Sequence, residues 1–327
     1  MCFLTGGNNV ITHLTEIQNF YSGDTFSMTT ITAFNHKSSP KNGVHQSRSH
    51  IDPELGAAVF TMSPTPRPCF SPGLLAELRL FQQTVAQHVR SAVIQRGKSA
   101  VRYTVLTSDL PGVFNLGGDL ELFVKLIRDK DQEALLNYAY SCIDIVYQMS
   151  MGLELPITTI ALIQGAAQGG GFEVALSCNV IIAEEGAMLG FPEVLFNLFP
   201  GMGAYTFLRQ RVNTALAERL ISSGKQYRAE ELYEMGIIDL LAKPGQGKQK
   251  LQEFIQQTNR RPKVNELIRH TRTHYNKVTY AELQQITELW VESALAVSER
   301  DIRTMERLVR FQNRKVQDIT QPLAKKA

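Results

Sequence analysis

The chain has 327 residues, 43% hydrophobic and 20% charged, which is enough apolar side chain to bury one large core. A net charge of +3 gives no overall pull toward nucleic acid, and no stretch approaches the run of about 20 apolar residues that a membrane-spanning helix needs. The four cysteines, Cys2, Cys69, Cys142 and Cys178, are far apart with no CxxC pair, which speaks against a zinc site or disulfide framework and for packing residues in a reducing cytoplasm.

Residues 1–50 are rich in Thr, Ser, Asn, Gly and His, show no period, and lack the basic start and apolar run of an export signal. They read as an unstructured extension of a cytoplasmic protein. Folded structure begins with Ala57–Met62 as a strand. A helix follows, with Ser71 as cap, Pro72 in its first turn, Gly97 as its stop, and Leu74, Leu75, Leu78, Phe81, Val85 and Val89 as its apolar stripe. Val101–Thr107 is a buried strand that runs into a loop, Pro111–Asp119, carrying three glycines. A long helical pattern spans Gln132 to about Met151. Ile157–Ile163 is a strand, followed by a glycine-rich turn, a helix start, and the strand Asn179–Ala183. The alternation predicts an α/β or layered α+β fold. Beyond Pro200 the pattern is helical, with Gly224 and Gly236 as stops, and the stretch from Ala281 to about Val316 keeps helical spacing with a break near Ser298. No repeat of fixed period is visible.

Charge placement carries the chemistry. Between Glu154 and Glu184 the single charged side chain is Glu173, in GAAQGGGFEVALSCNVIIA, and between Glu185 and Arg209 it is Glu193, in AMLGFPEVLFNLFPGMGAYTF. A carboxyl group in apolar surroundings is driven toward its neutral form, which raises its pKa toward the range useful for proton transfer. Either glutamate alone could be an ordinary first-turn residue favoured by a helix dipole; the pair points to acid/base catalysis. The glycines of Gly169-Gly170-Gly171 and of FNLGGDL leave backbone N–H groups uncovered, as an oxyanion hole requires, although either run alone is equally a tight turn.

The order of FNLGGDL, then QGAAQGGGFEVALSC, then FPEV resembles the crotonase (enoyl-CoA hydratase/isomerase) family over roughly residues 55–260. That resemblance implies a crotonase-like ββα spiral core, an oxyanion hole at Gly118 and Gly170, and catalytic glutamates at Glu173 and Glu193. A narrower resemblance runs from about residue 55 to 315. SDLPGVFNLGGDLELFVKLIRDKDQEALLNYA, ALSCNVIIAEEGAMLGFPEVLFNLFPGMGAYTFLRQR, ITELWVESA and RTMERLVR are similar to the diffusible signal factor synthases, which make cis-2-unsaturated fatty acid signals for bacterial quorum sensing. It implies a 3-hydroxyacyl chain on acyl carrier protein, dehydrated and then hydrolysed to the free acid. It also implies Trp290 and Leu308 in the acyl pocket, a sensor-kinase receiver domain as regulatory partner, and a trimer by family habit. The domain plan expected is an extension to residue 50, a catalytic core at 55–260, C-terminal helices at 261–316 completing the acyl pocket, and a flexible tail at 317–327.

Removing the proton at C2 of a thioester builds an enolate-like oxygen, which two amide donors can stabilise while one glutamate accepts the proton and the other protonates the departing 3-hydroxyl. No cofactor, metal or nucleophile is required. Glu173 is assigned as base at C2 and Glu193 as acid, with the reverse left open by the sequence. Phe191, Leu195, Phe196, Leu198, Phe199 and Met202 flank the site and fit either an acyl pocket or core packing. No G-x-S-x-G occurs, and His270 and His274, four apart, read as a solvated face. Arg303, Arg307, Arg310 and Arg314 form a basic stripe, either solvated or docking an acidic carrier or a coenzyme A phosphate. Two alternatives stand beside the synthase: a coenzyme A-dependent enoyl hydratase, and a regulatory binding protein on the same scaffold.

Overall fold

The computed structural model describes residues 45–320, with side chains described to residue 313. Strand β1 (Ser47–Asp52) turns through Asp52, whose carboxylate accepts the N–H groups of Glu54 and Leu55, into β2 (Ala57–Met62), and the two pair antiparallel. The extension expected for residues 1–50 is therefore corrected at its end, where Ser47–His50 are strand; residues 1–44 lie outside the described residues.

Helix α1 (Pro72–Arg96) starts at Ser71, whose hydroxyl accepts Leu74 N–H at 3.1 Å, and stops at Gly97 with φ of 68°. Its six-residue stripe is buried. At about 2 kcal/mol for each large apolar side chain, that stripe outweighs the ~1 kcal/mol of the serine cap in holding the helix. The chain continues through β3 (Tyr103–Ser108), β4 (Val113–Asn115), α2 (Leu120–Arg128), α3 (Gln132–Ser150), β5 (Thr158–Ile163), β6 (Ala166–Gln168), α4 (Gly170–Ser177), β7 (Val180–Glu184) and β8 (Met188–Gly190). A 3₁₀ turn at Glu193–Phe196 leads to α5 (Ala204–Leu208), α6 (Thr214–Ser223), β9 (Gln226–Arg228), α7 (Ala229–Glu234), β10 (Leu240–Ala242), α8 (Gly247–Asn259), α9 (Pro262–Tyr275), α10 (Tyr280–Leu295) and α11 (Glu299–Thr320).

Two sheets result, ordered β1-β2-β3-β5-β7-β10 and β4-β6-β8-β9. Long strands β3, β5 and β7 lie parallel in the first, and each is followed by a short strand, β4, β6 or β8, in the second. The chain thus winds as a spiral of ββα turns. Val105, Ile160 and Ile182, one from each long strand, meet in the core against Leu251 and Ile255 of α8.

The structure departs from the sequence reading in three places. Helix α2 occupies a stretch between the expected Pro111–Asp119 loop and the Gln132 helix to which no element was assigned, and it is capped by the Asp119 carboxylate, which accepts Leu122 N–H at 3.2 Å. The region beyond Pro200 is not purely helical, because β9 and β10 join the two sheets. The expected tail at 317–327 begins as helix, since α11 continues to Thr320; residues 321–327 lie outside the described residues. Among the described residues no helix is long and apolar enough to cross a membrane.

Candidate active site

Each glycine loop joins a short strand of the second sheet to a helix. β4 leads through Leu116-Gly117-Gly118-Asp119 into α2, and β6 leads through Gly169 into α4. Because β4 and β6 are hydrogen-bonded neighbours, their loops emerge side by side. A Cβ placed on Gly117 would come within 3.1 Å of Gly170 N, so only glycine allows this approach. Gly170 is the first residue of α4, where N–H groups have no partner within the helix. Neither it nor Gly118 donates to a described acceptor.

Glu173 sits in the first turn of α4 but does not cap it. Its Oε1 accepts Met202 N–H at 2.7 Å and Ala204 N–H at 3.0 Å, from the glycine-flanked segment entering α5. Burial lifts its carboxyl from the ordinary 4.5 to about 7, with the two amides pulling the other way. Glu193 opens the 3₁₀ turn after Pro192. The residue as a whole is half-buried, but Oε2 is shielded from solvent and has no hydrogen-bond partner. Burial, and then the charge of Glu173, hold its carboxyl well above the usual range. The two groups are pushed apart in strength because Glu173 has the amides of Met202 and Ala204 while Glu193 has only its own backbone N–H to offset burial, so near neutral pH the site rests with Glu173 the readier anion and Glu193 the neutral acid.

Both carboxyls and both glycine loops line one open cavity. Its apolar wall is built by α2, α3, α10 and α11, through Phe123, Ala139, Cys142, Trp290 and Leu308 among others. Phe123 is the hinge of this wall, meeting Tyr138 and Trp290 edge-on at 5.1 Å each. Of the residues expected near an acyl chain, Met202, Phe196, Trp290 and Leu308 line the cavity. Phe191 does not; it is buried and stacked on Phe172 at 5.0 Å, because β8 turns it toward the back of α4. Leu198 is likewise buried in the core, and Leu195 is exposed. Tyr138, Ala139 and Cys142 were not anticipated as lining residues, although their spacing on one face of α3 was available as a signal. Burial raises the Cys142 thiol, which therefore stays protonated and acts as an apolar surface. Arg303, Arg307 and Arg310 are exposed on α11; the side chain of Arg314 lies outside the described residues.

A parallel ββα spiral carries two adjacent glycine loops and a buried carboxyl pair, an arrangement able to support acid/base chemistry beside a carbonyl. Residues 80–315 match the family model described as Enoyl-CoA hydratase/isomerase, and the chain belongs to that family. "Probable enoyl-CoA hydratase 2, mitochondrial" of Arabidopsis thaliana is 34% identical over 161 residues, 49% of this chain and 51% of that protein, so the chain spans about half the length of this curated relative. Two solved structures show the same fold. The enoyl-CoA hydratase from Bacillus halodurans has TM-score 0.67 and 19% identity, with 81% of this chain and 100% of that chain covered. Pseudomonas aeruginosa DspI has TM-score 0.53 and 20% identity, with 86% and 99% covered.

Proposed function

We propose that the protein interconverts 2-enoyl and 3-hydroxyacyl thioesters by adding or removing water. One observation carries this reading: two buried carboxyl groups of unequal strength share a cavity with two adjacent glycine N–H donors. The thioester oxygen accepts from Gly118 and Gly170, which lowers the energy of the enolate formed in the reaction. In hydration from the resting site, the Glu173 carboxylate takes a proton from water as its oxygen bonds to C3. Neutral Glu193 gives its proton to C2, so the pair ends with its protons exchanged and no net charge change. Coenzyme A is the carrier favoured by the family and by the name of the curated relative. The test is steady-state hydration of trans-2-enoyl-CoA thioesters, with Glu173→Gln and Glu193→Gln beside the wild type. Wild-type turnover no faster than either variant would sink the reading.

A second reading, release of a free cis-2-enoic acid from a carrier-protein-bound 3-hydroxyacyl chain, is favoured by the wall that α10 and α11 build around the cavity and by the basic stripe on α11. Here Glu173 takes the proton from C2, Glu193 protonates the hydroxyl that leaves as water, and a second water then cleaves the C–S bond to acid and thiol. The two readings place the pair oppositely along the substrate. Exchange of the C2 hydrogen with solvent deuterium discriminates them: it is lost in Glu193→Gln on the first and in Glu173→Gln on the second. Mass spectrometry of lipids released by an expressing host shows directly whether a free enoic acid is made.

A further inference from the structure

Asp119 directly follows Gly118 and is tied at both of its polar ends. Its carboxylate accepts from Arg67 Nη2 at 2.9 Å, and its N–H donates to the Tyr138 hydroxyl at 3.2 Å. That hydroxyl in turn donates to the Phe70 carbonyl at 2.6 Å. On the other side of Gly118, Phe70 N–H donates to the Gly117 carbonyl at 2.8 Å and Leu116 N–H to the Pro68 carbonyl at 2.7 Å. The segment Arg67–Phe70 thus runs beside Leu116–Asp119, and the phenol of α3 locks the two together at the residue after Gly118.

This arrangement is a poor way to gain stability. The Arg67 side chain is 11% exposed, pairs also with Glu121, and leaves its Nε buried with no partner. A buried guanidinium with an unpaired N–H is destabilising relative to a well-packed apolar residue. Tyr138 likewise places a hydroxyl inside an apolar wall. What both groups secure is direction, and a donor to a developing oxyanion works only when it is held in place before the reaction.

We propose that Arg67 and Tyr138 are positioning residues for the oxyanion donor Gly118. Through the Asp119 carboxylate, the Asp119 N–H and the Phe70 carbonyl, they hold the Gly117–Asp119 turn so that Gly118 N–H faces the thioester carbonyl. The inference rests on the reading that Gly118 and Gly170 polarise that carbonyl. Tyr138→Phe is the sharpest probe, since it keeps the ring in the cavity wall and removes only the hydroxyl.

The probe is 2,4-decadienoyl-CoA, a conjugated thioester that absorbs at longer wavelength when its carbonyl is polarised. Its spectrum is recorded bound to wild type, Tyr138→Phe, Arg67→Met and Arg67→Lys, alongside hydration kinetics and thermal midpoints. The wild type should show a red shift. Tyr138→Phe and Arg67→Met should bind the probe within about threefold of wild type, lose at least about half of the shift, and lose roughly 10- to 100-fold in kcat with KM nearly constant, less than the loss of a whole donor. Arg67→Lys should restore most of both. A full red shift in Tyr138→Phe and Arg67→Met, with or without a lowered midpoint, overturns the positioning role while the site reading stands. No shift in the wild type overturns the site reading and the brace together.

Discussion

The Glu193 carboxyl occupies the space that any side chain at position 169 would need: a Cβ on Gly169 would stand 2.3 Å from Glu193 Oε1. Gly169 also holds φ of 50°, in the left-handed region that L side chains rarely adopt. Glycine is therefore required there twice, by the backbone and by the acid. The second glycine loop and the second glutamate are a single unit.

Gly169→Ala should move the Glu193 carboxyl by a substantial fraction of an ångström. The expected loss in kcat is on the order of 100-fold, as for other small misplacements of reacting groups, with ~1–2 kcal/mol of stability lost to the left-handed backbone. Steady-state hydration and thermal unfolding check this, and wild-type turnover in the variant would refute it.

Glu173→Gln and Glu193→Gln should each lower kcat by about 10²- to 10⁴-fold, the range of a positioned acid or base. The fold should persist, because Gln at 173 keeps an oxygen for the Met202 and Ala204 amides. Circular dichroism melts beside turnover separate loss of chemistry from loss of structure.

Burial raises Glu173 from 4.5 to about 7, so between those values the folded protein keeps a proton that the unfolded chain has released. Stability falls with rising pH wherever the native state holds the extra proton. The contribution of the neutral group is complete below pH 4.5, declines as pH rises, and is gone above about pH 7, an effect of about 3 kcal/mol. Denaturant unfolding at pH 5 and pH 8 should show a larger decrease for wild type than for Glu173→Gln. Equal decreases would contradict the raised value. Turnover should fall as pH drops through about 7, when the base is protonated.

Ala139 is a small residue on the cavity wall, opposite no charged group of its own helix turn. Ala139→Phe should lower kcat/KM for a dodecenoyl thioester by roughly 10-fold or more and change a butenoyl thioester little, given the usual size discrimination of apolar pockets. Trp290→Ala removes one of the two rings packed on Phe123 and should cost ~3–5 kcal/mol of stability. Equal effects of Ala139→Phe on both thioesters would place the acyl chain elsewhere.

Much of the local structure was legible. Ser71, the six-residue stripe and Gly97 delimit α1, and Ser298 marks the α10–α11 break, where it exchanges hydrogen bonds with Asp301. Strands β4, β6 and β8 were not legible, because three residues carry no alternation and are ordered only by their neighbours in the second sheet. The spiral repeat was hidden for a related reason: α2 and α3 intervene between the first and second turns, and α4 alone between the second and third, so no fixed period survives in the sequence. Phe191 could not be sorted from Phe196 by composition, since both are buried aromatics and only the turn of the chain after β8 sends one to the core and the other to the cavity.

The sequence by itself determined that two carboxyl groups stand alone in apolar segments beside glycine runs, and an isolated charge in such a setting must be compensated or neutralised. The tertiary structure decided the compensation. The amides of Met202 and Ala204 reach Glu173, while Glu193 Oε2 is left without a partner and the helices α10 and α11 close the wall. Proton affinity depends on donors brought from distant parts of the chain, and that distance in sequence is why the difference between the two acids appears only in three dimensions.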